Sequence, residues 1–350
     1  MTQQQISDAL QEVLHPGKQS RSIVELGMVK DIAVGSEGIE VTLSFGPNRD
    51  PLQEYLIGAA RAALNRAFPG IPSTVKTVVE APKPAKKKLE LDNSQLENVK
   101  HIIGIASGKG GVGKSTVAVG LACALARMGY KVGLADADVY GPSVPTMTGT
   151  EGAQPLASGE EGHELMEPIE KYGVKWMSVG YFTGSGQALI WRGPMACNAL
   201  KQTILQVHWG ELDFLLIDMP PGTGDIHISL VQDIPMESAL IVTTPGKVAI
   251  EDVRRGISLF RNENVNRRIL GVIENMAWFT PAEHPDERYY IFGREGGVEM
   301  AASAGLELLA QIPLVQSVRE GGDNGQSAAL GSGPESLPFL ELAAKVAEIA

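Results

Sequence analysis

Nine consecutive residues, Gly108-Lys109-Gly110-Gly111-Val112-Gly113-Lys114-Ser115-Thr116, fit the spacing Gly-x-x-x-x-Gly-Lys-Ser/Thr. Glycines at these positions let successive backbone N–H groups turn inward around phosphate oxygens. A helix N-terminus directly after them adds partial positive charge. In such a loop Lys114 is placed to reach the β- and γ-phosphates and the Ser115 hydroxyl to ligate Mg2+. Lys109 is a second cation inside the same loop. Asp218 closes the apolar run Phe214-Leu215-Leu216-Ile217 and precedes Met219-Pro220-Pro221-Gly222-Thr223-Gly224-Asp225. A carboxylate at a strand end beside a phosphate loop suits Mg2+, directly or through water. The turn after it suits a segment that moves when a γ-phosphate leaves. Asp136 and Asp138 point the same way if one strand continues through both. They would then face the nucleotide, one supporting Mg2+ and the other orienting or deprotonating an attacking water.

These groups need a scaffold, and the apolar pattern supplies one. His101 to Ala106 is a buried strand leading into the loop, and Val117 to Met128 is the helix leaving it. That strand-loop-helix context separates a phosphate loop from a chance glycine-rich turn. Further strand patterns lie at Lys131 to Asp136, Phe214 to Asp218, Ala239 to Thr243 and Ile269 to Ile273. Helical patterns lie at Val248 to Phe260 and Leu337 to Ala350. This alternation predicts an α/β fold for residues 98–350, a doubly wound and mostly parallel sheet. Residues 1–80 predict a small α+β domain, with helices Ile6 to Leu14 and Leu52 to Ala67 and strands Ile39 to Phe45 and Ser73 to Val79. Between them, residues 81–97 begin with the Pro/Lys-rich run Ala81 to Lys88, the composition of a solvated linker.

The formal net charge of -11 argues against a general nucleic-acid binder, which carries a basic surface. No apolar stretch is long enough to span a bilayer. The start, Met1-Thr2-Gln3-Gln4-Gln5, has neither a basic segment nor an apolar run after it, so a cytoplasmic location is expected. The two cysteines, Cys123 and Cys197, do not make a disulfide framework. Cys123 falls on the helix after the phosphate loop among Leu121, Ala122 and Leu125, as core. Cys197 falls at the start of a helix.

The phosphate loop with its extra Lys109 resembles the deviant Walker A of the MinD/ParA/nitrogenase-iron-protein group. Asp136-Ala137-Asp138-Val139-Tyr140-Gly141-Pro142-Ser143, the Asp218 to Asp225 segment and Glu274-Asn275-Met276 more closely resemble the Mrp/Nbp/ApbC iron–sulfur cluster carriers. Ile312-Pro313-Leu314 and Arg319-Glu320-Gly321-Gly322-Asp323 fit the same group. His15-Pro16 and Ile23 to Val29 resemble the small iron–sulfur-assembly domain often fused ahead of these carriers. The resemblance implies a homodimer with ATP at the subunit interface and Lys109 crossing to the partner's phosphates. It implies Asp138 as the group that activates water, Asn275 as the reader of the adenine edge and Pro313 in the pocket wall. It implies a [4Fe-4S] cluster bound between subunits and passed to apoproteins, with ATP hydrolysis as the gate. A positioning switch of the MinD/ParA kind, or a regulatory ATPase that has lost the cluster, are the alternatives.

One departure bears on the cargo. Relatives commonly carry Cys-x-x-Cys shortly after the Asn-Met pair, but here an ungapped reading from Asn275 puts Pro281 and His284 at those positions. The front domain has Gly46-Pro47-Asn48-Arg49-Asp50 where relatives often carry a cysteine. Cluster ligation through Cys197 and His284 of two subunits, ligation through a partner protein, and no cluster at all stay open.

Overall fold

Val99–Ala106 (β1) is buried on both faces from Ile102 onward, as a central strand of a helix-covered parallel sheet must be. In the computed structural model, residues 2–16, 21–35, 38–45, 52–79, 92–159, 164–182, 193–281 and 283–350 are described. The chain forms two compact units, Met1–Lys88 and Leu89–Ala350. The Pro/Lys-rich run and the Gly46 to Asp50 segment lie outside the described residues.

In the front unit, strands Val29–Gly35, Gly38–Phe45 and Ser73–Val79 form a sheet in chain order, the first pair antiparallel and the second parallel. Helices Gln3–Leu10 and Gln53–Ala67 contribute Ile6, Leu10, Leu56 and Leu64 to its core, against Val41 and Leu43. The first helix begins and ends earlier than its apolar pattern suggests. The Thr2 hydroxyl accepts the Gln5 N–H at 3.3 Å and the Gln5 side chain accepts the Thr2 N–H at 2.9 Å, a reciprocal cap that fixes the start. After Leu10 the chain turns, and Leu14 bridges Ser22. Strand Val29–Gly35 is half-buried or exposed along its length, so it shows no apolar alternation and is not apparent from sequence.

In the large unit the strands after β1 are Val132–Asp136 (β2), Ile169–Lys171 (β3), Val174–Ser178 (β4), Leu212–Asp218 (β5), Ser238–Thr243 (β6), Arg268–Phe279 (β7) and Leu308–Leu314 (β8). They form an eight-stranded sheet in the order β8-β7-β6-β1-β5-β2-β4-β3, parallel except for the β3/β4 pair. The helices are Lys114–Arg127 (α1), Gly193–Leu205 (α2), Asp225–Asp233 (α3), Lys247–Arg261 (α4), Gly296–Ala304 (α5), Gln316–Asp323 (α6) and Leu337–Ile349 (α7). Each sheet face is covered by its own apolar layer. Successive strands leave β1 in opposite directions, β2 to one side and β6 to the other. The crevice at the C-terminal end of β1 is therefore where such a sheet binds ligands.

The nucleotide helix is held from behind by α7. At Gly120 of α1 an added Cβ would stand 2.3 Å from the Phe339 ring, so glycine is what allows this ring to reach the helix backbone. Phe339, Leu342, Ala343 and Val346 of α7 are all buried. Phe339→Ala is expected to lower unfolding free energy by about 3–5 kcal/mol, read from urea denaturation, because the cavity it leaves is walled by helices that cannot collapse.

Candidate functional site

The chain leaves β1 through Ser107 and wraps into the phosphate loop before α1. Gly108 passes so close to α4 that an added Cβ would stand 2.2 Å from the Asp252 carbonyl carbon. Gly113 has φ +78° and caps α1, and an added Cβ there would meet the Asn275 amide nitrogen at 2.2 Å. Close approach and a left-handed backbone therefore dictate glycine at both positions. Asn275, reaching from β7, donates through Nδ2 to the Val112 carbonyl at 2.9 Å. In this arrangement Asn275 braces the loop. Val112 itself is buried and holds the loop to the core.

A cavity of 200 Å³ is lined by Lys109, Gly110, Gly111, Gly113, Lys114, Ser115 and Thr116, with Asp138 and Pro221 facing them. Thr116 and Met147 also line a second cavity of 430 Å³, whose wall includes Asn275, Pro313, Val318 and Arg319. The two adjoin at Thr116 and Met147, the first carrying Lys109, Lys114, Ser115 and Asp138 and the second mostly apolar, and together they have the volume of a small-molecule site. Lys109 is exposed. Its carbonyl accepts the Ser107 hydroxyl at 3.0 Å.

The loop lysine points inward. Lys114 Nζ is ion-paired with Asp218 Oδ1 and also donates to Ser115 Oγ at 3.3 Å. Its side chain is 6% exposed and that of Asp218 is fully buried, so each charge depends on the other for neutralisation. The second Asp218 oxygen, Oδ2, has no hydrogen-bond partner. A hydroxyl at Ser115 and a carboxylate oxygen left over at Asp218 are the hard oxygen donors Mg2+ takes, and they fit that ion.

The two aspartates after β2 part company. The strand stops at Asp136, beside Asp218 in the parallel register. Asp136 accepts hydrogen bonds from the Asp138 N–H at 3.1 Å, the Val144 N–H at 3.2 Å and the Ser178 hydroxyl at 2.9 Å. An aspartate that captures the N–H two residues on turns the chain out of extended geometry. The expectation that a continued strand points both carboxylates at the nucleotide therefore does not hold. Asp138 lines the loop cavity, whereas Asp136 is buried and ties the loop, β4 and the short helix Val144–Thr148 together. Burial, reinforced by the Asp218 charge, raises the Asp136 pKa. Burial also raises that of Asp138, against the Lys114 charge, which lowers it.

His227, on α3, gave no sequence signal. It is 2% exposed and its Nε2 has no partner. Burial, and then the Lys114 charge, pushes its pKa down to about 4, so it is neutral beside the cation. Ser178, which bonds Asp136, also gave no sequence signal, whereas Glu274 belongs to the Glu274-Asn275-Met276 motif. Buried Glu274 accepts the Gly297 N–H at 2.5 Å and the Gln311 amide at 2.8 Å, pinning β7 to α5 and β8.

Within one subunit the candidate cluster ligands Cys197 and His284 lie on separate elements. Cys197 is half-buried on α2, which packs on β4 and α3. His284 is exposed in the loop after β7 and pairs with Glu287 at 3.6 Å. The strands β4 and β7 are five positions apart in the sheet, about 24 Å at the usual spacing. Among the described residues no group of three or more His, Cys, Asp or Glu side chains is arranged to hold a metal ion. Another cavity, of 650 Å³, lies at the opposite end of the sheet around Lys131, Lys171 and Lys175. Those lysines already bond Glu211, the Gly149 carbonyl and the Trp209 carbonyl, and the phosphate loop is not part of its wall.

Residues 98–347 match the model of the NUBPL iron-transfer P-loop NTPases, and residues 3–91 match that of an iron–sulfur cluster assembly protein. An iron–sulfur cluster carrier protein of Synechocystis is 42% identical over 98% of this chain and 97% of its own length. An iron–sulfur protein required for NADH dehydrogenase in Arabidopsis thaliana mitochondria is 48% identical over 68% of this chain and 74% of its own. Among solved structures, an Archaeoglobus fulgidus nucleotide-binding protein in complex with ADP is 32% identical with a TM-score of 0.60, covering 74% of this chain and 98% of that one. The cell-division ATPase MinD of Pyrococcus furiosus, 23% identical with a TM-score of 0.52, shares the fold over 71% of this chain and 99% of its own. With its phosphate loop, its carboxylate at the end of β5 and a match spanning the whole large unit, the chain belongs to the NUBPL iron-transfer family of P-loop NTPases.

Proposed function

We propose that this protein is a dimeric, Mg2+-dependent ATPase that delivers iron–sulfur clusters to apoproteins. The buried Lys114–Asp218 pair beside these adjoining cavities carries the ATPase half of the reading. Delivery is supported by the relatives named as cluster carriers and by the assembly-type front unit. The positioning-switch alternative has less support. Helix α7 uses its apolar face inside the domain, and no described helix is long and apolar enough to cross a membrane.

ATP enters with its phosphates on the loop N–H groups and its base toward Asn275 and Pro313. The polyphosphate takes Lys114 from Asp218, and Asp218 with Ser115 is then available to Mg2+. When bound, that ion neutralises charge on the β- and γ-phosphate oxygens. Asp138, already in the cavity wall, orients the attacking water and accepts its proton. Lys109, exposed at the groove, reaches the phosphates of the second subunit and stabilises charge in the transition state as an arginine finger does. Loss of the γ-phosphate returns Lys114 to Asp218, the arrangement in which the Gly222 N–H of the Pro220-Pro221-Gly222 segment is held by the Ser107 carbonyl at 3.1 Å.

Lys109→Ala is expected to lower kcat by about 1000-fold or more. ATP binding should persist in that variant, measured by phosphate release and fluorescent-nucleotide titration; normal turnover would remove the two-subunit mechanism. Asp138→Asn should lower kcat by ~100- to 10,000-fold with ATP still bound. The base must be ionised to work and its pKa is raised by burial. In the unmodified protein kcat/KM should therefore fall on acidification at a pH above the ordinary aspartate value of about 3.9. A profile that stays flat down to that value would assign the base elsewhere.

A further inference from the structure

The ligand inventory of this chain does not match the cargo its family handles. Clusters of the [4Fe-4S] type are held by four cysteine thiolates, with histidine replacing cysteine in certain two-iron centres. The 350 residues contain two cysteines. Cys123 lies inside α1 with no exposure, and burial pushes its thiol up to about 12, so it stays protonated and unreachable. Cys197 is then the single accessible thiol per subunit, and a dimer presents two where four are needed. Histidine does not close the gap. His15 and His227 are 3% and 2% exposed. His101 stacks on Phe214, and His208 sits 3.1 Å from the Glu167 carboxylate. His163 lies outside the described residues. His284 is exposed, but within one subunit it follows β7, five strand positions from β4, on which the helix carrying Cys197 packs. At the two positions where relatives carry cysteine, Pro281 has no donor atom and His284 stands alone.

We infer that this chain does not hold its cluster with its own side chains. The thiolates come from outside it, from a second protein or a low-mass thiol, and the chain presents a cluster that is already thiolate-bound. This inference rests on the carrier reading and concerns how that carrier holds its cargo. No electron changes hands in it: the same iron–thiolate bonds are present, with the sulfur contributed by another molecule. The ATPase machinery is complete without such ligands, since none of Lys109, Lys114, Ser115, Asp138 or Asp218 is a cluster ligand.

The full-length protein tests this directly. It is incubated anaerobically with ferrous iron and sulfide in three arms: without any coordinating thiol, with glutathione, and with a cluster-loaded iron–sulfur scaffold protein. After removal of small molecules, iron and acid-labile sulfide per subunit are measured, with Cys197→Ser and His284→Ala run in parallel. The expected result is background iron in the first arm, unchanged in both variants, and retained iron and sulfide in at least one thiol arm. Retention with glutathione assigns a low-mass thiol; co-elution of cluster, scaffold and chain assigns a protein. Stoichiometric iron and sulfide retained by the chain alone would overturn the inference while leaving the carrier reading in place, whatever the two variants do. No retention in any arm, with ATP hydrolysis intact, would overturn the carrier reading together with it.

Discussion

Lys114 and Asp218 are 104 residues apart in sequence and meet where water is excluded. Neither charge is tolerated there without the other, and much of the surrounding architecture follows from that. The parallel pairing of β5 with β1 brings the carboxylate to the mouth of the phosphate loop. The neighbouring carboxylate, Asp136, is a second potential negative charge in the same volume. Its raised pKa and three hydrogen-bond donors keep it as a structural acceptor. His227 would be a second positive charge, and it is held neutral. In the proposed mechanism nucleotide binding is an exchange of partners: phosphate would replace Asp218 beside Lys114, and Asp218 would be free to hold Mg2+. Because Asp218 leads directly into Met219-Pro220-Pro221-Gly222, whatever happens to its partner is felt first by the segment suited to switching.

What sequence reveals here follows from how local the physics is. The phosphate loop is legible because its spacing, glycines and flanking strand and helix lie within one continuous segment. Asp218 is legible because an apolar run ending in an acid marks a strand end whatever its neighbours are. The Asp136/Asp138 pair was only half legible. Both residues belong near the site, but the turn between them depends on Asp136 capturing the Asp138 and Val144 amides and the Ser178 hydroxyl. Two of those donors lie outside the motif, and Ser178 comes from another strand. His227 was not legible, because a histidine on a helix acquires meaning only from what buries it. The front strand Val29–Gly35 escaped for the opposite reason, being too exposed to show a pattern.

Strand β7 joins the nucleotide groove to the segment where relatives carry their cysteines, and its details bear on what that segment does here. Asn275 braces the phosphate loop through Val112, and Glu274 fixes the strand to α5 and β8. The next residue, Met276, has φ +54°, a left-handed conformation that costs a non-glycine residue about 1–3 kcal/mol. The pairing with β8 shifts register between Asn275 and Phe279, so the strain sits where the strand leaves the braced part. Beyond it, Phe279 pairs with Tyr289, and the Arg288 guanidinium lies 4.2 Å from the Trp278 ring centre. Tyr289, Ile291 and Phe292 are exposed. On its inner side this strained junction is fixed by Asn275 and Glu274, and on its outer side by the Phe279–Tyr289 bridge. The line from phosphate loop to outer segment is therefore built independently of cluster ligation. If that line transmits the state of the nucleotide, it delivers it to a surface bearing exposed Tyr289, Ile291 and Phe292, side chains that can grip a partner. On the proposed carrier function, such a chain would have its specificity in contact and its timing in ATP, with the sulfur ligands belonging to whatever it contacts.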